Sequence, residues 1–169
     1  MRNRVLLVGT DMSPRGDDAI IEGLTQLAAD KASFMHVLYV LEPGKPLFAA
    51  GSSHALQDDE TLAQGPSMLR RRSQYHAVVN GLPFPATRVQ VHVRLGNPVD
   101  TLLQACVDYE ADTLVLGPHG RRGTQEMPLG SVAQQLFRQA KCPVLVARVK
   151  SYHGLSRSVP PAAKDSRTV

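Results

Sequence analysis

The residues best suited to chemistry lie between Gly117 and Val132, in the order Gly-Pro-His-Gly-Arg-Arg-Gly-Thr-Gln-Glu-Met-Pro-Leu-Gly-Ser-Val. Glycines let a backbone approach a ligand closely and adopt positive φ. Gly130-Ser131 stands where a helix should begin, and the N–H groups of a helix start favour an anion. The Ser131 hydroxyl can donate to a phosphate oxygen, and Arg121 and Arg122 add positive charge. Together these parts read as a phosphate-binding loop. The competing reading is that Ser131 only caps its helix and the glycines only make turns. No Gly-Lys-Ser/Thr closes the loop, so it is not a Walker A motif, and it is not Gly-x-Gly-x-x-Gly. Gly120-Arg121-Arg122-Gly123 has the spacing of an RNA-binding Gly-x-x-Gly clamp. The strand order around it and an aromatic content of 5% argue against that module.

Other reactive side chains read as structural. Cys106 falls on the apolar stripe of a helix, and Cys142 precedes Pro143 at a strand start. Neither belongs to a Cys-x-x-Cys pair, so both read as core and redox or zinc roles are poorly supported. The histidines (His36, His54, His76, His92, His119, His153) show no His-x-x-x-His spacing, and no metal site is expected. Arg70-Arg71-Arg72 reads as a solvated helix face. Without a Gly-x-Ser-x-Gly context, no Ser-His-Asp constellation is recognisable and no catalytic residue is assigned.

The elements that must position the loop alternate between apolar runs and helical periodicity. Strands are expected over Arg4–Thr10, Ser33–Leu41, Arg88–Leu95, Thr113–Gly117 and Pro143–Val149. Several are continuous in Val and Leu, which suits strands covered on both faces. The first helix is expected over Pro14–Ala29, with Ser13 as cap and Pro14 at the first helical position. A second falls within Asp58–Asn80; Gly65-Pro66 interrupts it, Pro66 could open the helix proper, and Gly81 should stop it. A third runs Pro98–Glu110 behind Asn97. The fourth runs Ser131–Ala140, with Val132, Ala133, Leu136, Phe137 and Ala140 inward. Such alternation predicts an α/β fold, a doubly wound parallel sheet with helices on both faces. Ligands of such sheets bind beyond the carboxyl ends of strands, where strand order reverses. Glu42–Gln57 reads as a long loop, and Ser151–Val169 as a disordered tail.

The spacing Gly117, two residues, Gly120, nine residues, Gly130-Ser131 resembles the ATP-binding signature of the universal stress protein family. Val5 to Ser13 resembles that family's first strand with its terminal Asp and following Ser. His36 to Val40, Gly96-Asn97-Pro98, Ala111 to Gly117 and Ala140 to Val146 resemble its later segments. The resemblance spans about residues 2–149 and weakens between Gly44 and Pro85. It implies a Rossmann-like five-stranded parallel sheet in the order 3-2-1-4-5, with a nucleotide-binding domain over 1–149 and a basic tail over 150–169. It also implies ATP, with Mg2+, in a site built from Gly9, Thr10, Asp11, Val40, Leu116, Gly117, His119, Gly120, Arg121, Gly130, Ser131 and Val132. Asp11 would face base and ribose, and Val40 would offer backbone to adenine. Gly117 and Gly120 would approach ribose and α-phosphate. Gly130, Ser131 and Val132 would hold the outer phosphates. A plain cap for the first helix is the alternative role for Asp11, and an exposed loop position the alternative for His119. The chain departs from the family at Gly9, where many members have Pro, at Thr10, where many have Val, and at Pro118, which removes a backbone donor.

The implied function is that of an ATP-binding stress-response regulator whose occupancy orders the 117–131 segment and tunes contact with an unknown protein partner. A slow ATPase and a nucleotide-free dimeric adaptor are the alternatives. A homodimer through the edge strand Val144–Val149 is also implied. The net charge of +4 and pI near 9.3 invite a nucleic-acid reading. However, Lys150, Arg157, Lys164 and Arg167 against Asp165 place most of that charge beyond residue 149, so the charge points weakly to nucleic acid. The apolar run Val5–Val8 is shorter than the roughly 7–15 residues of a secretory core, and no run nears the roughly 20 of a membrane span. A cytoplasmic protein with no membrane partner is expected.

Overall fold

Strand β1 (Val5–Thr10) runs through the middle of a sheet, and every residue from Leu6 to Thr10 is buried. A strand covered on both faces needs apolar residues without alternation, which Leu6-Leu7-Val8 supplies. The computed structural model describes residues 3–45, 47–48, 55–118 and 129–148. In chain order the remaining strands are β2 (Phe34–Leu41), β3 (Leu47–Phe48), β4 (Ala55–Leu56), β5 (Val89–Leu95), β6 (Thr113–Leu116) and β7 (Val144–Val146). The main sheet has the order β5-β2-β1-β6-β7, and all its pairings are parallel. Counted over its own five strands this is 3-2-1-4-5, the expected order.

The helices are α1 (Pro14–Ala29), α2 (Asp58–Val79), α3 (Pro98–Asp108) and α4 (Ser131–Gln139). Strand alternation divides the core in two. Leu6, Val8, Met35 and Val37 pack with Ile20, Leu24 and Leu27 of α1 and Leu69 of α2 on one face. Leu7, Leu38, Leu114 and Leu116 pack with Val99 and Leu102 of α3 and Ala133 and Leu136 of α4 on the other. Three layers result, with the sheet in the middle.

Several expectations need correction. The last strand, expected to reach Val149, ends at Val146, and Arg72, expected on a solvated helix face, is partly buried against Asp17. The segment Glu42–Gln57 contains a short antiparallel hairpin, with Leu47 opposite Leu56 and Phe48 opposite Ala55. Helix α2 runs through Pro66 without restarting there. Pro66 forgoes one backbone bond, while side-chain-free Gly65 lets the helix lie on β5. A Cβ on Gly65 would stand 2.8 Å from Val93 Cγ2. Phe137 of α4 points outward, 64% exposed, while Leu136 takes the core position. The caps match expectation. Ser13 accepts from the Gly16 N–H and Asn97 from the Val99 and Asp100 N–H groups. Gly81 sits at φ 63°, and the Leu82 N–H closes onto the Ala77 carbonyl at 2.8 Å.

Candidate functional site

Strand order reverses between β1 and β6, and the carboxyl ends of those strands are where open α/β sheets place their ligand crevice. Gly9 and Leu116 are register partners across that gap, and Thr10 pairs with Tyr39 on the other side. Gly9 lies close under the α3 face: a Cβ there would meet Leu116 Cδ2 at 2.8 Å and Leu102 Cδ2 at 3.1 Å, so those two leucine side chains would have to shift.

A tight polar turn follows β1. Met12 takes φ 59°, and its N–H donates to Thr10 Oγ1 at 3.1 Å. Asp11 Oδ1 accepts from the Ser13 N–H at 3.0 Å and from the Ser13 hydroxyl at 2.6 Å. The same Ser13 hydroxyl accepts from the Gly16 N–H at 3.1 Å, capping α1. Asp11 therefore holds the residue that caps the helix. Its carboxylate lies over Gly16, where a Cβ would stand 2.4 Å from Asp11 Oδ1 and 2.7 Å from Thr10 Oγ1.

Gly117, at the end of β6, packs on the first turn of α1. A Cβ there would come within 2.4 Å of the Arg15 carbonyl oxygen. Gly16 and Gly117 thus let the start of α1 and the end of β6 meet backbone to backbone. Sequence reasoning assigned Gly117 but missed Gly16 and Arg15. Gly16 in a helix's first turn, five residues past Asp11, was the available signal.

The far wall is the start of α4. The Gly130 N–H donates to the Pro118 carbonyl at 2.8 Å, and Gln134 Nε2 donates to the Leu129 carbonyl at 2.8 Å. Gly130 is the N-cap of α4 and Ser131, exposed, is its first residue. The first turns of α1, α2 and α3 carry Asp17, Asp58 to Glu60, and Asp100 respectively. Among the described helices, α4 alone has neither a side-chain cap nor an acidic residue in its first turn. Among the described residues, no acidic side chain of its first turn offsets the partial positive charge there, which suits an anion.

Of the expected site residues, Gly9, Thr10, Asp11, Leu116 and Gly117 meet at the β1/β6 ends. Gly130, Ser131 and Val132 form the α4 wall. Val40 lies on β2 opposite Arg94. Val40, Leu116 and Val132 commit side chains to the core on the α3/α4 face, so backbone is what they can offer. His119, Gly120 and Arg121 lie outside the described residues.

The fold and crevice define a Rossmann-like α/β protein with its cleft at the switch point between β1 and β6. A profile described as "Universal stress protein family" matches residues 2–148, and the chain belongs to that family. Among solved structures it is similar to the universal stress protein UspA from Lactobacillus plantarum, with a TM-score of 0.68 and 24% identity, covering 88% of this chain and 99% of that one. A universal stress protein in complex with cAMP matches with a TM-score of 0.61 and 21% identity over 89% of this chain and 100% of that one. One from Archaeoglobus fulgidus, in complex with dAMP, matches at 0.52 with 18% identity over 88% and 100%.

Proposed function

We propose that the protein binds ATP in the β1/β6 crevice, with Mg2+ arriving as the nucleotide's counter-ion. The observation that carries this is the start of α4, a helix N-terminus with no side-chain cap and no acid in its first turn, next to the topological switch point. Ser131 donates its hydroxyl, the N–H groups of Ser131 and Val132 face the outer phosphates, and Gly130, whose N–H is held by the Pro118 carbonyl, lets the backbone come close to them. His119, Gly120 and Arg121 complete the phosphate side. Asp11, with Gly9 and Thr10 behind it, accepts from ribose or adenine donors. Leu116 and Gly117 line the sugar, and Val40 gives backbone groups to the base. The cAMP and dAMP complexes of similar proteins support an adenine nucleotide.

In this reading occupancy sets what segment 117–131 presents to a protein partner. The outer edge of β7, Val144–Val146, serves a homodimer by strand-to-strand pairing. Among the described residues no helix is long and apolar enough to cross a membrane.

Thermal unfolding with and without nucleotide tests the binding. A ligand at 100 times its Kd adds about 2.7 kcal/mol to native stability. In a domain of this size that raises Tm by roughly 5–10 °C. No shift of the folded protein with ATP, ADP or AMP would overturn the proposal.

A further inference from the structure

Cys106 of α3 and Cys142, just ahead of β7, stand 36 positions apart in sequence, and the fold brings their sulfurs to 3.9 Å. At that distance the two thiols are within weak hydrogen-bonding reach of each other. Cys106 is 9% exposed and Cys142 is half-buried. Both open onto a groove of about 510 Å³, whose walls add Asp100, Gln104, Glu110 and Lys141. Gln139, the last residue of α4, also lines it, so the groove lies at the opposite end of α4 from Ser131. Along that nine-residue helix the separation is about 13 Å.

We propose that Cys106 and Cys142 form a reversible intramolecular disulfide, made by exchange with a low-molecular-weight disulfide that enters this groove. A disulfide bond is about 2.05 Å long, so the sulfurs must close by about 1.9 Å, a distance that rotation of two side chains can cover. Access sets the order of events. Cys106 is the more buried, and burial together with the neighbouring Cys142 pushes its thiol up to about 12. Cys142 therefore reacts first. Its thiolate attacks one sulfur of the small disulfide, forms a mixed disulfide and releases one small thiolate. Cys106 then gives up its proton and attacks the Cys142 sulfur. The Cys106–Cys142 bond forms, the bond to the small thiol breaks, and a second small thiolate leaves. Two protein thiols lose two electrons and two protons, which end on two molecules of small thiol.

The cross-link would tie α3 to the start of β7. The loop it closes runs from α3 through β6 and Gly117 to α4, and so includes the residues that would hold phosphate under the proposed function, on which this consequence rests.

The test uses the full chain, equilibrated with graded ratios of oxidised to reduced glutathione, quenched in acid, alkylated under denaturing conditions and weighed intact. The expected result is conversion from two alkylated thiols to none, in a single chain two hydrogens lighter and free of adduct. Cys106→Ala should instead accumulate a stable glutathione adduct on Cys142. The wild-type measurement alone is decisive if that variant folds poorly. Two thiols alkylated at every ratio, a wild-type chain that stops at the adduct, or bridges formed only between chains would each overturn the proposal.

Discussion

The Pro118 carbonyl accepts a hydrogen bond from the Gly130 N–H at 2.8 Å, so the chain just after β6 is held against the start of α4. That closure sets Ser131 at the crevice. Ser131→Glu should separate folding from binding. A carboxylate in the first turn of α4 offsets the helix dipole and should raise unliganded stability by about 0.3–1 kcal/mol. The same charge repels phosphate, and the thermal shift with ATP should vanish. Paired denaturation and nucleotide-shift measurements on this variant check both effects. A retained shift would remove α4 from the phosphate site.

Gly117→Ala should destabilise the chain by about 1–3 kcal/mol, the usual cost of overpacking. The added Cβ would meet the Arg15 carbonyl oxygen at 2.4 Å, and backbone yields less readily than a side chain. Urea titration measures the loss. Wild-type stability would show that the end of β6 and the start of α1 do not meet as described.

Asp17, 7% exposed, ties α1 to α2. Arg72 grips it through two hydrogen bonds, 2.5 Å and 2.7 Å, and His76 Nε2 lies 3.0 Å from Oδ2. Arg72→Ala leaves a buried carboxylate with His76 as its remaining basic neighbour in this cluster. The expected cost is about 2 kcal/mol, below the 3–5 kcal/mol of fully buried pairs because the Arg72 side chain is 30% exposed. Arg72→Lys should recover only part of it, since an ammonium cannot make the fork. Chemical denaturation of both variants ranks them.

His36 and His92 share a hydrogen bond of 3.0 Å between Nδ1 and Nε2, and His36 lies flat on Tyr109 with ring centroids 4.1 Å apart. Burial, and secondarily His92, push His36 down to about 4; burial also pushes His92 down. An unfolded histidine titrates near 6.5. Between about pH 6.5 and 4 the unfolded chain therefore binds the extra proton, and stability falls as pH drops through that window. The His36 ring is partly exposed, and after solvent screening its share is on the order of 1 kcal/mol. His36→Phe keeps a ring on Tyr109 and cannot titrate, so its stability should fall less between pH 7 and pH 4.5. Equal losses in variant and wild type would show that His36 does not carry the effect.

Much of this architecture is legible in residue types. Runs such as Val5 to Val8 and Leu114 to Leu116 suit strands covered on both faces, and Ser13-Pro14 and Asn97-Pro98 mark helix starts by their own chemistry. The hairpin of β3 and β4 was not legible, because strands of two residues carry no periodicity. Pro66 misled for a different reason: the contact of Gly65 with Val93, 28 residues away, outweighs one lost backbone bond. The crevice was legible as a sequence motif, but the need for Gly16 was not, since it follows from where Asp11 and Thr10 turn. The Cys106–Cys142 contact was hidden most fully. Each cysteine fits its own apolar pattern, and only the packing of α3 against the turn before β7 joins them.

ATP binding is tested most directly by calorimetric titration of the nucleotide-stripped full chain with ATP and Mg2+, beside Ser131→Glu under the same conditions. The predicted result is saturable binding of one nucleotide per chain, lost in the variant while its folding is preserved. A folded wild-type chain that shows no saturable binding, or a variant that binds as tightly as wild type, would contradict the crevice as the nucleotide site.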